Sequence, residues 1–113
     1  MQIFNLPDLY ESPKSFVNYV INNKQYTFQF EWTGDFALCT AYFVANNVNQ
    51  YLFKGKPIVI NTDLTGRIKD KNFFDGHLVI MNVYGQSVDP IQENFSSDYQ
   101  LVYYTEEDLT NVN

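Results

Sequence analysis

The clearest pattern along the chain is the alternation in residues 24–32, KQYTFQFEW. Tyr26, Phe28, Phe30 and Trp32 fall on one side of a period-two repeat, and Gln25, Thr27, Gln29 and Glu31 on the other, as in an antiparallel strand with one buried face. The preceding run SFVNYVI, residues 15–21, has the same aromatic and β-branched character. Between the two, Asn22-Asn23 tolerates the left-handed turn conformation, so residues 15–32 are expected to form a hairpin. Thr33-Gly34-Asp35 supplies a second turn. FALCTAYFVA, residues 36–45, then puts Phe36, Leu38, Tyr42 and Val44 on one face and Ala37, Cys39, Ala41, Phe43 and Ala45 on the other. That suits a strand covered on both sides; the alanines also fit a helix, but the turn before them favours a hairpin.

The amides of NNVNQ, residues 46–50, break the pattern, and YLFKGKPIVI restarts it as two short strands flanking Gly55, with Pro57 at an edge or a strand's first residue. TDLTGRIKDKNFFDG, residues 62–76, is polar and mixed in charge and reads as loop, with room for one helical turn or a short strand. HLVIMNVY, residues 77–84 between Gly76 and Gly85, reads as a strand with His77, Val79, Met81 and Val83 on one face. A polar loop follows at 85–98, and YQLVYYT closes as a final strand. The expected organisation is an amino-terminal extension (1–14), a single β domain (15–105) and an acidic carboxy-terminal tail (106–113) that frays or attaches to something else. With about seven to eight strands and turns every eight to twelve residues, the fold class is all-β, a small antiparallel β-barrel or sandwich.

Composition narrows the function. A chain of 113 residues makes one modest core and one domain. Ten Phe, nine Tyr and one Trp suit strands and well-packed interfaces. The formal net charge of −6 repels phosphate backbones and argues against nucleic-acid binding. No run approaches the roughly 18 apolar residues of a membrane-spanning helix, and Asp8, Glu11 and two prolines near the start are unlike a signal peptide. Synthesis and folding in a cytoplasm are expected.

Candidate chemistry is sparse. Cys39 is the one cysteine, which rules out an intramolecular disulfide and a Cys-based metal cage; in its apolar setting it reads as a small core residue. His77 is the one imidazole. A triad would have to recruit it across the sequence, and no serine lies in the Gly-flanked turn that exposes a nucleophile. With Asp75 it offers two metal ligands, too few for a site, so His77 reads as a strand-end residue. The isolated glycines of TGD, KGK and TGR lack the spacing of a phosphate-binding loop and read as turn formers. Paired carboxylates and aromatics could serve a sugar site, but spacing selects no pair. The stripe at 26–32 reads as core. No catalytic, cofactor-binding or metal-binding residue is assigned.

Four segments in order resemble the small baseplate plug proteins of contractile-tailed phages: NNKQYTFQFEW, GKPIVINTDL, FDGHLVIMNVYGQSVDP and YQLVYYTEED. The resemblance covers roughly Tyr19 to Asp108. It implies a virion structural protein of the tail baseplate, made in the host bacterial cytoplasm, without catalysis or cofactor. It plugs or bridges the central hub and tube through contacts with hub, spike and tail tube proteins, and assembles as a homo-oligomer with a trimer favoured. Val88, Asp89, Pro90, Ile91, Phe95, Glu106 and Glu107 are its candidate partner-binding residues. An acidic surface facing a tail lumen would also avoid holding the genome as it passes. Two other classes compete. A small carbohydrate-binding β module predicts exposed Tyr and Trp in a groove, and a hydrolase centred on His77 predicts an activity that depends on that ring.

Overall fold

In a computed structural model of the chain, which describes residues 1–66, 68, 70 and 73–110, Asn22 and Asn23 both adopt positive φ, 52° and 65°. This two-residue turn matches the right-handed strand twist and fixes the register of the hairpin it closes. Strand β2 (Lys14–Ile21) accordingly pairs with β3 (Lys24–Trp32) without interruption, from Ile21 opposite Lys24 to Lys14 opposite Glu31. Strand β4 (Ala37–Ala45) pairs on the other side of β3, and β5 (Val48–Pro57) completes a four-stranded antiparallel sheet in the order β2-β3-β4-β5.

The second sheet is built from the two ends of the chain. Strand β1 (Gln2–Asn5), β7 (Tyr99–Tyr104) and β6 (His77–Asn82) are antiparallel in the order β1-β7-β6. The seven strands thus form a sandwich of two sheets, the second of the two expected architectures. Tyr19, Ile21, Tyr26, Phe28 and Phe30 meet Leu78, Ile80, Leu101 and Tyr103 in one buried cluster. The aromatics touch edge-on or tilted: Tyr19–Phe28 at 5.2 Å, Phe30–Phe95 at 5.5 Å and Phe74–Tyr103 at 5.8 Å between ring centroids. Such geometry sets positive ring edges against negative faces, so the stripe at 26–32 is core, as its alternation indicates. Cys39 is fully buried beside it.

Several elements differ from expectation. Residues 1–14, read as an extension, are built into the sandwich: β1 pairs with β7, Leu6 and Leu9 are buried, and the Tyr19 hydroxyl donates to the Asn5 carbonyl at 2.6 Å. Strand β4 buries one face only; on the other, Leu38, Thr40 and Tyr42 are half-buried and Val44 is exposed. Its small residues line the core, where facing aromatics take the space. Residues 46–50 do not break the sheet. Asn46-Asn47, at φ 53° and 62°, is a second two-residue turn, and β5 then runs as one strand through Gly55, whose N–H donates to Thr40 Oγ1 at 2.8 Å. Pro57 lies on an edge strand, as one of its two readings had it, and ends that strand instead of starting one. Ile58 and Ile60 are buried without forming a ladder of their own. Strand β6 stops at Asn82 because its Oδ1 accepts the Tyr84 N–H at 2.8 Å and turns the chain.

The polar loop at 85–98 contains a short 3-10 turn (Gln92–Asn94) and one turn of helix, α1 (Phe95–Asp98). The expected tail begins as a second helical turn, α2 (Glu106–Thr110). Residues 67, 69, 71 and 72 of the expected loop, and 111–113 of the expected tail, lie outside the described residues.

Candidate functional site

His77 opens β6 where three elements meet. Its Nδ1 lies 2.5 Å from Asp63 Oδ2 and its Nε2 lies 2.6 Å from Glu106 Oε1, so one ring bridges the loop before β6 to α2. The local chain positions each carboxylate. Asp63 Oδ1 accepts the Thr65 N–H at 2.9 Å, the Thr65 hydroxyl at 2.7 Å and the Leu78 N–H at 3.2 Å, a turn in which an aspartate side chain replaces a backbone acceptor. Glu106 is held by a reciprocal cap: the Thr105 N–H donates to Asp108 Oδ2 at 2.8 Å, and the Asp108 N–H to Thr105 Oγ1 at 3.2 Å. That is the arrangement of a capping box, and the acids of the first turn suit the helix dipole. Asp108 Oδ2 also meets the terminal ammonium of Met1 at 3.2 Å, which ties the two ends of the chain together.

The electrostatics follow from these contacts. The hydrogen bond to Asp63 raises the His77 pKa above the ordinary imidazole value; partial desolvation opposes it, and Glu106 adds to the rise. Burial pushes the Asp63 carboxyl up, but bonds from Thr65, His77 and Leu78 together outweigh it and hold the group below the usual range. The protonated ring therefore donates from both nitrogens.

This arrangement clamps the fold; it does not suit catalysis or metal binding. The carboxylates sit on opposite sides of one imidazole and cannot converge on an ion, and among the described residues no group of His, Cys, Asp or Glu is placed to hold a metal. Burial raises the Cys39 thiol well above its ordinary pKa, the opposite of what a nucleophile needs. Asp75, the sequence neighbour considered as a co-ligand, is not among the ring's partners, which are Asp63 and Glu106; its backbone carbonyl accepts the Tyr103 hydroxyl. Gly76 between them has φ +126°, and a Cβ there would fall within 2.8 Å of Tyr103 Cζ and Oη. The approach of the Tyr103 ring thus requires glycine at this position.

The candidate partner-binding residues separate into two groups. Val88 and Ile91 are exposed, at 59% and 54%, and Asp89 is exposed with Oδ1 accepting the Ile60 N–H at 3.2 Å. Glu106 and Glu107 are exposed on α2. Pro90 is buried, and Phe95 is fully buried against Phe30. These two cannot present a side chain to a partner: they anchor the loop from inside, where an aromatic gains most by leaving water. The Tyr99 hydroxyl bonds the Val88 carbonyl from below. The loop is thereby braced at Val88, Asp89, Pro90 and Phe95 while Tyr84, Val88 and Ile91 face out.

Sequence reasoning missed the clamp, although part of its signal was present. Thr105-Glu106-Glu107-Asp108 has capping-box spacing and Asp63-Leu64-Thr65 has the spacing of an aspartate turn. Nothing in the sequence brings either to His77.

A protein-family model described as "Cyanophage baseplate Pam3 plug gp18" matches residues 1–107. No curated protein matches the chain.

Proposed function

Because this chain belongs to the cyanophage baseplate plug family, a structural component of the virion tail made in the host cytoplasm, we propose that it plugs the centre of the baseplate by binding hub, spike and tail tube proteins through the braced loop at residues 83–91. The observation that carries this reading is the contrast within that loop. Its backbone is fixed from inside by Tyr99, Asp89 and the buried Phe95, while Val83, Tyr84, Val88 and Ile91 expose apolar surface. An apolar surface on a rigid scaffold loses little conformational entropy on binding and suits a protein contact. Copies of the chain also associate with one another; the resemblance favours three.

Light scattering of the purified chain mixed with the hub and tube proteins of the same virion tests the reading. A stable complex is expected, and replacing Val88 and Ile91 by Asp should weaken it at least tenfold without changing the melting temperature. A chain that ignores every tail protein would overturn the proposal. The carbohydrate-binding alternative gains nothing from the structure, since Trp32 packs against the core instead of flooring an open groove.

A further inference from the structure

Strands β6 and β7 are apolar on both faces. Leu78, Val79, Ile80 and Met81 run without interruption in one, and Leu101, Val102, Tyr103 and Tyr104 in the other. An antiparallel sheet with one solvated face alternates apolar with polar positions, whereas an unbroken apolar run belongs to a strand covered on both sides. The four-stranded sheet keeps that alternation at its centre, where the outward positions of β3 are Gln25, Thr27, Gln29 and Glu31. In the three-stranded sheet, Leu78, Ile80, Leu101 and Tyr103 fill the space between the sheets. Val79 and Val102 alternate with them onto the opposite face. They lie outside that cluster, yet are 6% and 7% exposed.

The strand register builds this outer face in rows. Ile3 of β1, Val102 of β7 and Val79 of β6 lie side by side, and Asn5, Gln100 and Met81 form the row beside them. On the other side, Tyr104 and His77 end the patch, where the imidazole is held by Asp63 and Glu106. Apolar side chains project at both margins: Ile3 is 57% exposed on β1 and Met81 is 43% exposed on β6. None of the six residues in the two rows carries a charge. The carboxamides of Asn5 and Gln100 each hold both donors and an acceptor, so they can bond to copies of themselves.

We propose that this outer face of the β1-β7-β6 sheet is the surface through which three copies of the chain associate, their sheets walling a prism about a three-fold axis. Charge and chemistry point to copies of the same chain as the occupants. Chains of net −6 repel wherever carboxylates line a contact, and these two rows hold none. Depletion of charge around an apolar centre is also the composition of an interface core. The two margins of the face differ, so the contact is head to tail: Ile3 of one copy meets Val79 and Met81 of the next, and Val102 faces the axis. A head-to-tail contact repeats from copy to copy until its rotation closes a ring, and a ring of three covers the apolar face of every copy. The inference rests on the association of copies proposed above and supplies its surface; the loop at 83–91 lies outside it.

The test is the mass of the full chain by light scattering across micromolar concentrations. The wild type should approach three times 13.2 kDa. Ile3→Glu and Met81→Glu place a carboxylate on opposite margins of the face, and each should give the monomer mass with the far-ultraviolet circular dichroism of the wild type retained. Asn5→Asp, which keeps the shape of an exposed side chain and adds only charge, should weaken the association about tenfold. Val44→Glu, at a site 61% exposed on the outer face of the other sheet, should leave three copies together. A wild-type monomer at every concentration, a dimer, or three copies that survive all three substitutions on the face overturns the proposal. Three copies that bind no hub or tube protein remove the baseplate contacts of the loop alone, whereas a monomer that binds them removes this inference alone.

Discussion

Deprotonation of His77 removes the proton that lets one ring donate to two carboxylates, and its consequences are set by the direction of the shifts. The folded pKa of His77 is raised, so its stabilising contribution is fully present below the ordinary imidazole value of about 6.5 and is lost as pH rises through the folded value. Asp63 is lowered, so its contribution is present above the ordinary aspartate value of about 3.9 and is lost as pH falls through its folded value. The difference in melting temperature between wild type and His77→Asn should therefore be largest between about pH 4 and pH 6.5 and shrink at alkaline pH. Glu106 is 70% exposed, so the effect should be modest and reduced by salt. A difference that is independent of pH would show that the ring acts by packing alone, for instance against Tyr104, whose ring centroid lies 5.0 Å away.

At the scale of elements, the sequence was most legible where a strand has one buried face and a tight turn beside it. The hairpin of β2 and β3 follows from alternation and two asparagines, and both are local. Strand β1 was not legible because QIFN is four residues long, too short for a period, and its partner β7 lies at the other end of the chain. The same holds for Leu9: nothing in NLPDLYE signals burial, yet the side chain is fully enclosed. Leu9→Ala should cost about 2–5 kcal/mol in chemical denaturation, as for a buried leucine that leaves a cavity. A change under about 0.5 kcal/mol, the range of surface substitutions, would return residues 1–14 to the status of an appendage. Phe95 was misread for a related reason. It lies in a polar stretch, and only the tertiary structure shows that α1 turns it inward onto Phe30.

For the whole molecule, charge is the property that local structure does not absorb. Thirteen acidic residues against seven basic ones leave an acidic surface, and five of the seven basic residues fall within residues 54–71. In a component at the centre of a tail, such a surface would repel passing DNA. Virions carrying Asp or Glu to Lys replacements at exposed positions away from the loop at 83–91 should assemble normally and eject DNA more slowly. Ejection at the wild-type rate would remove this role from the acidic surface.

The sequence by itself determined the strand class, the Asn22-Asn23 turn, the burial of the aromatic stripe and the family resemblance, since each rests on neighbours a few residues apart whose side-chain period fixes which face meets water. Tertiary structure alone decided that the chain ends pair as β1 and β7, that Asn46-Asn47 is a turn, that His77 joins Asp63 to Glu106, and that Pro90 and Phe95 anchor the loop at 83–91 from within. These depend on which distant segments come into register, and that is settled by how two sheets bury a common core, a choice that no short window of sequence encodes.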